Sequence, residues 1–223
     1  MSVAGRPLAL LWDIDGTLID TTDLIVAALD HAYRSYIGRT LPYAEIRALI
    51  GVPLKDQIRV FGPLEPMGID PAEMEAAFIG FYEAHRDRER IIGPAVEALR
   101  LGHRLGIPTA LVTSKNHAEI RNTLPRLDIA DSVDHVVSAD DVRRPKPDPE
   151  SVVAAVRRCG VEPRGAVFVG DTVHDMQAGA GAGVRRCAVT WGAAERAELL
   201  AEAPELVCDD PERLACVLSL AGC

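Results

Sequence analysis

The sequence of 223 residues has few aromatic side chains and fewer basic than acidic residues. Aromatic residues make up 4% of the chain, so stacking on nucleobases has little support. The formal net charge is −9, and the sequence shows no basic face. Because nucleic acids and anionic membranes both bind a basic face, we expect neither as a partner.

Long apolar runs and paired cysteine motifs are also missing. The apolar run before Trp12 is too short for a signal peptide or a membrane span, so we expect a cytoplasmic protein. The odd number of cysteines and the absence of Cys-x-x-Cys spacing favour reduced thiols over disulfides or a zinc site. These cysteines are Cys159, Cys187, Cys208, Cys216 and Cys223.

The apolar content is typical of a folded soluble protein. Hydrophobic residues account for 48% of the chain and charged residues for 26%, which argues against disorder. A chain of this length can form one large domain, or a medium domain that carries a smaller insertion.

Two periodicities divide the chain. Residues 20–90 show helical spacing without a strand signal; the predicted helices are Thr21–Ile37, Tyr43–Ile50, Leu54–Phe61 and Pro71–Arg90. After Gly93-Pro94, helices alternate with short apolar runs; the predicted strands are Thr109–Val112, Val133–Val137, Ala166–Val169, Val184–Val189 and Leu206–Cys208.

This pattern predicts an α/β fold, a doubly wound parallel sheet with a small inserted α-helical cap. The Rossmann-like core domain would comprise residues 1–19 and 92–223, and the cap domain residues 20–91. Ligands of open parallel sheets bind beyond the carboxyl ends of the strands. The residues immediately after each apolar run are therefore the functional candidates.

Two carboxylates come after the first predicted strand, Leu8–Leu11. Asp13 and Asp15 are two residues apart and would share one face of an extended chain, which is costly unless a positive group lies nearby. Gly16 allows a sharp turn, and Thr17 can cap the next element of the chain. A plain strand with an Asp-Gly turn at its end is the structural alternative.

Polar residues come directly after three later runs. Thr113 and Ser114 come after Thr109–Val112, where hydroxyls and a helix N-terminus suit an anion, although either residue could simply be an N-cap. Lys146 stands among three prolines that fix its direction, or else marks a rigid surface loop. Asp171 and Asp175 come after Ala166–Val169, and Asp175 could serve a capping box with Thr172.

Combined, these residues predict a cation site beside an anion site. Carboxylates without histidine or cysteine are the ligands of a hard cation such as Mg²⁺. A lysine and a hydroxyl next to that cation are groups that a transferring phosphoryl group requires.

The strings DIDGTL, TSK, RRPKPDP and GDTVHD make the chain similar to the haloacid dehalogenase superfamily, in its phosphoglycolate phosphatase-like branch. They occur in the family's order and spacing along nearly the whole chain. The resemblance implies a Mg²⁺-dependent phosphatase that acts on a small phosphorylated metabolite through an aspartyl-phosphate. The oligomeric state is left open.

The resemblance also implies the role of each residue. Asp13 would be the nucleophile, Asp15 the general acid and base, and Thr113 and Lys146 would bind phosphate and balance charge. The implied metal ligands are Asp13, Asp15, Asp171 and Asp175. The substrate-binding candidates are Gly16, Thr17, Ser114 and Lys55. The cap residues Arg59, His85 and Arg86 are further candidates, although solvated helix faces explain Lys55 and these three residues equally well.

Two alternative activities stay open within the superfamily. A phosphohexomutase would need a basic cap residue for a second phosphate, and Leu54 occupies the expected position. A phosphonoacetaldehyde-type C–P hydrolase would need a cap lysine, for which Lys55 is the candidate. Dehalogenases lack the second acid, so Asp15 argues against that activity.

Overall fold

A computed structural model describes residues 6–60, 64 and 67–222 of the chain. The strands within these residues are β1 (Ala9–Trp12), β2 (Ile19–Asp20), β3 (Arg90–Ile91), β4 (Thr109–Val112), β5 (His135–Val137), β6 (Ala166–Gly170), β7 (Arg185–Val189) and β8 (Leu206–Cys208). The helices are α1 (Thr22–Ile37), α2 (Tyr43–Arg47), α3 (Leu54–Val60), α4 (Pro71–Ala84), α5 (Gly93–Arg104), α6 (His117–Leu127), α7 (Glu150–Cys159), α8 (Val173–Ala182), α9 (Arg196–Ala201) and α10 (Leu214–Val217).

A parallel sheet forms the centre of the fold, with the strand order β5-β4-β1-β6-β7-β8. Its middle strand β1 is wholly buried, and successive side chains point to opposite faces. Leu10 and Trp12 join one hydrophobic cluster, while Ala9 and Leu11 join another. Such burial on both faces confirms the doubly wound α/β class.

The helices α1 to α4 lie between β2 and β3 and form a separate hydrophobic cluster, which also includes Ala193 of the core. Helix α1 contributes Leu24, Ala28 and Leu29 to it, and α4 contributes Met74 and Phe78. We call this helical segment the cap. The boundaries at residues 20 and 91 remain a prediction.

Several local predictions were wrong. Residues 20–90 do contain strand, because Ile19 and Asp20 pair antiparallel with Ile91 and Arg90 in the two-stranded β2–β3 ribbon. Two-residue strands are too short to show a periodicity. The helix expected over Pro71–Arg90 ends at Ala84, and the helix expected over Tyr43–Ile50 ends at Arg47. Of the helix expected over Leu54–Phe61, Leu54–Val60 is observed; Phe61 and the adjoining Gly62-Pro63 lie outside the described residues.

The thiol prediction holds in part. Cys159, Cys187 and Cys208 are free, whereas Cys216 is disulfide-bonded, so reduced thiols were the wrong prediction there. An odd cysteine count and missing Cys-x-x-Cys spacing do not exclude a bridge between two of them. Cys223 lies outside the described residues. Among the described helices, none has the length and apolar character needed to span a membrane.

Candidate active site

Three neighbouring strands bring the predicted polar residues to one edge of the sheet. Asp13 comes directly after β1, Thr113 after β4 and Asp171 after β6. Strand β1 lies between β4 and β6, and the Asp13 N–H donates to the Val169 carbonyl at 3.0 Å. The carboxyl edge beside β1 is therefore where the side chains converge, as is typical of ligand sites in such sheets.

Lys146 provides the positive charge next to the nucleophile candidate. Its Nζ donates to Asp13 Oδ1 at 2.8 Å, to Asp175 Oδ1 at 2.7 Å and to the Val112 carbonyl at 3.3 Å. Burial lowers the pKa of Lys146, but Asp13 and Asp175 outweigh it, and the net pKa is raised. The alternative of a solvated surface lysine is thereby excluded, since the residue is only 3% exposed.

Asp171 lies in a tight polar cradle. Its Oδ1 accepts from Thr17 Oγ1 at 2.8 Å, and its Oδ2 accepts from the Ala193 N–H at 2.7 Å. A Cβ added at Gly16 or at Gly192 would lie 2.1 Å from Asp171 Oδ2, so only glycine fits at either position. The structure thus places Gly16 and Thr17, predicted to bind substrate, against this carboxylate.

Asp175 closes the capping box of α8 and also contacts Lys146. Thr172 is the N-cap of α8: its Oγ1 accepts from the Asp175 N–H at 3.1 Å and donates to Asp175 Oδ2 at 2.6 Å. The capping box is confirmed, and it leaves Oδ1 for Lys146. Capping therefore fixes the rotamer that brings the carboxylate to the site.

The buried carboxylates of Asp13, Asp171 and Asp175 fit a divalent cation. Each offers an oxygen, and these oxygens lie within 4.8 Å of one another. Burial, with Asp175 and Asp15 nearby, raises the pKa of Asp13 to about 7 even though Lys146 lowers it. Burial with Asp175 and Asp13 likewise raises the pKa of Asp171. One lysine does not balance this charge, and an all-oxygen donor set suits Mg²⁺.

Asp15 stands apart from that cluster and has its own partners. Its Oδ1 accepts from Thr21 Oγ1 at 2.9 Å, and its Oδ2 lies 2.9 Å from Lys115 Nζ. Thr21, at the N-cap position of α1, therefore binds Asp15 with its side chain and makes no side-chain hydrogen bond to the helix. Our sequence analysis assigned Lys115 no role, although its position in the loop after β4, next to Thr113 and Ser114, was a usable signal.

Thr113 and Ser114 are not helix caps. Asn116 caps α6 in a capping box with Glu119. The alternative that Thr113 or Ser114 is simply the N-cap of this helix is therefore excluded. Thr113 is buried, and its Oγ1 accepts from the Lys115 N–H at 3.2 Å. Ser114 Oγ donates to the Gly51 carbonyl and so contacts the cap.

A cavity of about 150 Å³ lies between the cap and the core. Asp13, Asp15 and Lys115 line its core side, and the cap contributes mainly apolar side chains: Ile25, Ile50, Val52, Leu54, Phe78 and Ile79. The cap also contributes four polar side chains to the lining of the cavity: Gln57, Tyr82, Glu83 and Arg86.

The other cap candidates are less well placed. Lys55 and Arg59 are exposed, and neither lines the cavity. The ring of His85 stacks on Phe81 at 4.1 Å. Arg86 does line the cavity, paired with Glu83 at 3.0 Å. The structure therefore brings Arg86 to the cavity but not Lys55. Helix α3 directs Leu54 and Gln57 towards the cavity, and Lys55 lies on its exposed side.

Asp13 lies beside Lys146, and Asp15 lines the same cavity. Three buried carboxylates that could hold a cation lie at the same edge of the sheet. On a doubly wound sheet with a helical cap, these features are those of a phosphoryl-transfer enzyme. Residues 10–189 match the model of the haloacid dehalogenase-like hydrolase family. The chain belongs to that family, as its motifs predicted.

Known relatives agree with this assignment over most of the chain. Pyrophosphatase PpaX of Bacillus velezensis is 32% identical, over 97% of this chain and 97% of its own. Phosphoglycolate phosphatase 1 of Pseudomonas aeruginosa is 31% identical, over 92% of this chain and 77% of its own. The protein is accordingly an enzyme of the phosphatase branch.

Solved structures show the same fold. A hydrolase from Pseudomonas syringae superposes with a TM-score of 0.82 at 22% identity, over 95% of this chain and 97% of its own. A β-phosphoglucomutase from Clostridium difficile does so with a TM-score of 0.78 at 20% identity, over 93% of each chain. The chain therefore shares its fold with both of these solved structures.

Proposed function

We propose that the protein is a Mg²⁺-dependent phosphatase that hydrolyses a small phosphate monoester, phosphoglycolate-like or a sugar phosphate, through an aspartyl-phosphate. The observation that carries this proposal is that Asp13 and Asp15 line one small cavity, while Lys146 Nζ donates a hydrogen bond to Asp13. A nucleophile and a proton donor are thereby available to the same bound ester.

Asp13 performs the covalent step. Lys146 engages Oδ1, so Oδ2 is the oxygen that attacks phosphorus. The new bond joins Oδ2 to phosphorus as the ester oxygen leaves, and Asp15 supplies the proton that the leaving alkoxide needs. In the second half, Asp15 takes a proton from water, the resulting hydroxide attacks phosphorus, and the bond to Asp13 breaks.

The carboxylates of Asp13, Asp171 and Asp175, together with the Asp15 carbonyl, would hold Mg²⁺. When bound, the ion withdraws charge from the phosphoryl oxygens and reduces their repulsion by Asp13. Thr113 and the Ser114 amide are proposed to bind phosphate oxygens, and Lys146 balances the remaining charge.

The size and lining of the cavity support a small ester with a partly apolar leaving group. The charge of −9 supports a soluble metabolite as the partner, with neither nucleic acid nor membrane, and we propose that the enzyme acts in the cytoplasm. The relative named PpaX makes pyrophosphate the second candidate substrate.

The two alternative activities have less support. A phosphohexomutase needs a cation on the cap for a second phosphate, and Leu54 offers an apolar side chain at the position expected for it. Arg86 of the cap does line the cavity, but it is paired with Glu83 at 3.0 Å. A C–P hydrolase needs a lysine of the cap inside the cavity, and the cap lysine Lys55 lies outside it. Incubation with a sugar bisphosphate separates mutase from phosphatase, because a mutase yields an isomerised product and a phosphatase releases phosphate.

The test is phosphate release from a panel of esters and pyrophosphate, with Mg²⁺ and with a chelator. We expect hydrolysis of at least one small monoester, only with Mg²⁺, and none by the matched Asp13→Asn variant. Hydrolysis by Asp13→Asn at saturating Mg²⁺ would contradict the nucleophile assignment.

A further inference from the structure

We propose that Arg47 of the cap is a positioning residue that, through Ala193, holds Asp171 in its metal-binding position. The contact between cap and core would then set the affinity for Mg²⁺. This inference rests on the proposed Mg²⁺ site and adds a residue far from it in sequence.

Arg47 fastens the cap to a core segment. Its Nη1 donates to the Ala193 carbonyl at 2.5 Å and lies 3.0 Å from Glu195 Oε1, and Nη2 is 3.7 Å from Glu198 Oε2. The arginine side chain is 19% exposed. A partly buried guanidinium that contacts a carbonyl and a carboxylate at the same time is held more firmly than the arginine of an ordinary surface ion pair.

Ala193 transmits this contact to the metal site. Its own N–H donates to Asp171 Oδ2 at 2.7 Å, and the next N–H, of Ala194, donates to the Asp171 carbonyl at 3.2 Å. Ala193 is also a member of the cap's hydrophobic cluster and is 2% exposed. One residue thus touches the cap through its methyl group and its carbonyl, and touches Asp171 through its amide.

The backbone at Gly192 lies too close to the Asp171 carboxylate for this segment to shift without moving it. A Cβ there would lie 2.1 Å from Asp171 Oδ2, so the backbone is already in contact with the carboxylate. Displacement of the segment would therefore move the donor that orients Oδ2. Groups that orient metal ligands from outside the coordination shell tune metal affinity. By linkage, Mg²⁺ binding should in turn favour the cap position in which Arg47 reaches Ala193.

A merely structural Arg47 would lower stability and leave metal binding unchanged. Two substitutions separate these roles: Arg47→Met keeps the aliphatic stem, and Arg47→Lys keeps one charge without the fork of donors. Arg34→Met is the matched control, since Arg34 also lies on the cap and pairs with Asp30 at 3.7 Å on the exposed surface.

Calorimetric titration with Mg²⁺ alone and hydrogen exchange of a peptide spanning 190–195 test the proposal. We expect Arg47→Met to weaken Mg²⁺ binding about tenfold, the lower end of the cost of losing an outer partner. We also expect faster exchange of that peptide, a smaller effect of Arg47→Lys, and no change in Arg34→Met.

Unchanged Mg²⁺ affinity in folded Arg47→Met, with a wild type that binds Mg²⁺, would overturn this inference alone. If Arg47→Met does not fold, the same comparison is made with Arg47→Lys, and equal affinity again overturns it. A wild-type protein that binds no Mg²⁺ overturns the proposed function together with the inference.

Discussion

Lys115 Nζ lies 2.9 Å from Asp15 Oδ2, while Thr21 Oγ1 donates to Asp15 Oδ1 at 2.9 Å. Both oxygens of the proposed acid and base are thus held, one from the core and one from the start of the cap. Lys115 is 9% exposed, and although burial lowers its pKa, Asp15 and Glu119 raise it further, so the ammonium stays charged. Asp15 is thereby fixed facing the cavity.

Replacing Lys115 with methionine should slow turnover with little effect on KM. The variant loses one of the two contacts that orient Asp15, and a small misplacement of a catalytic group costs about 10- to 100-fold in rate. Steady-state kinetics on the best ester measures this change. Lys55→Met is the control, because Lys55 is an exposed cap lysine outside the cavity. Equal effects of the two variants would contradict a role for Lys115.

Replacing Asp15 with asparagine should trap the phosphorylated enzyme. With an activated ester whose leaving group needs no proton, Asp13 still attacks, but no general base remains for the hydrolytic half. Intact-mass measurement after rapid quenching should show one added phosphoryl group in Asp15→Asn and none in the double variant that also carries Asp13→Asn. An unlabelled Asp15→Asn protein would count against the two-step mechanism.

The cradle of Asp171 gives a steric prediction. Gly192→Ala forces a methyl group against the carboxylate, and overpacking of this kind costs about 1–3 kcal/mol in free energy of unfolding. Mg²⁺ affinity should fall as well. Gly80→Ala in α4 is the matched substitution: nothing lies within 4 Å of its Cβ position, and the helix should gain about 0.5–1 kcal/mol. Chemical denaturation and Mg²⁺ titration of both variants measure the contrast.

Glu205 predicts a pH-dependent contribution to stability. Arg186 donates to Glu205 Oε2 through its N–H at 2.7 Å and to Oε1 through Nη2 at 2.9 Å. Burial raises the pKa of Glu205, but these bonds outweigh burial and the net pKa is lowered. The stabilisation is therefore fully present above the unfolded pKa of about 4.3 and is lost as the pH falls through the folded pKa.

Glu205→Gln should accordingly be less stable than the wild type at neutral pH, and the two should converge in acid. Free energies of unfolding from denaturant titrations between neutral and acid pH measure the difference. Glu162→Gln, at an exposed position, is the control and should match the wild type throughout. A constant gap between Glu205→Gln and the wild type would contradict the titration of Glu205.

Positions at strand ends were predictable from the sequence for a simple reason. Once β1, β4 and β6 are recognised as parallel strands, Asp13, Thr113 and Asp171 must lie at one edge, whatever the loops do. Lys146 was predictable because the prolines around it limit its backbone. The positions of these residues can be predicted without knowing how distant loops pack.

Contacts made by the cap were not predictable in the same way. Arg47 and Ala193 are far apart along the chain, and neither periodicity nor a motif links them. Helix α3 spans 7 residues, too few for its spacing to show that Leu54 and Gln57 face the cavity in preference to Lys55. The disulfide at Cys216 escaped prediction because the spacing of cysteines does not encode which of them meet.

The β2–β3 ribbon places the entrance and the exit of the cap side by side. Ile19 pairs with Ile91 and Asp20 with Arg90. The two chain segments that connect the core with the cap therefore lie as close together as neighbouring strands. Recombination at this point could exchange one cap for another while Asp13, Lys146, Asp171 and Asp175 keep their places in the sheet. Selection can therefore change which ester is admitted through cap exchange without rebuilding the chemistry beneath it.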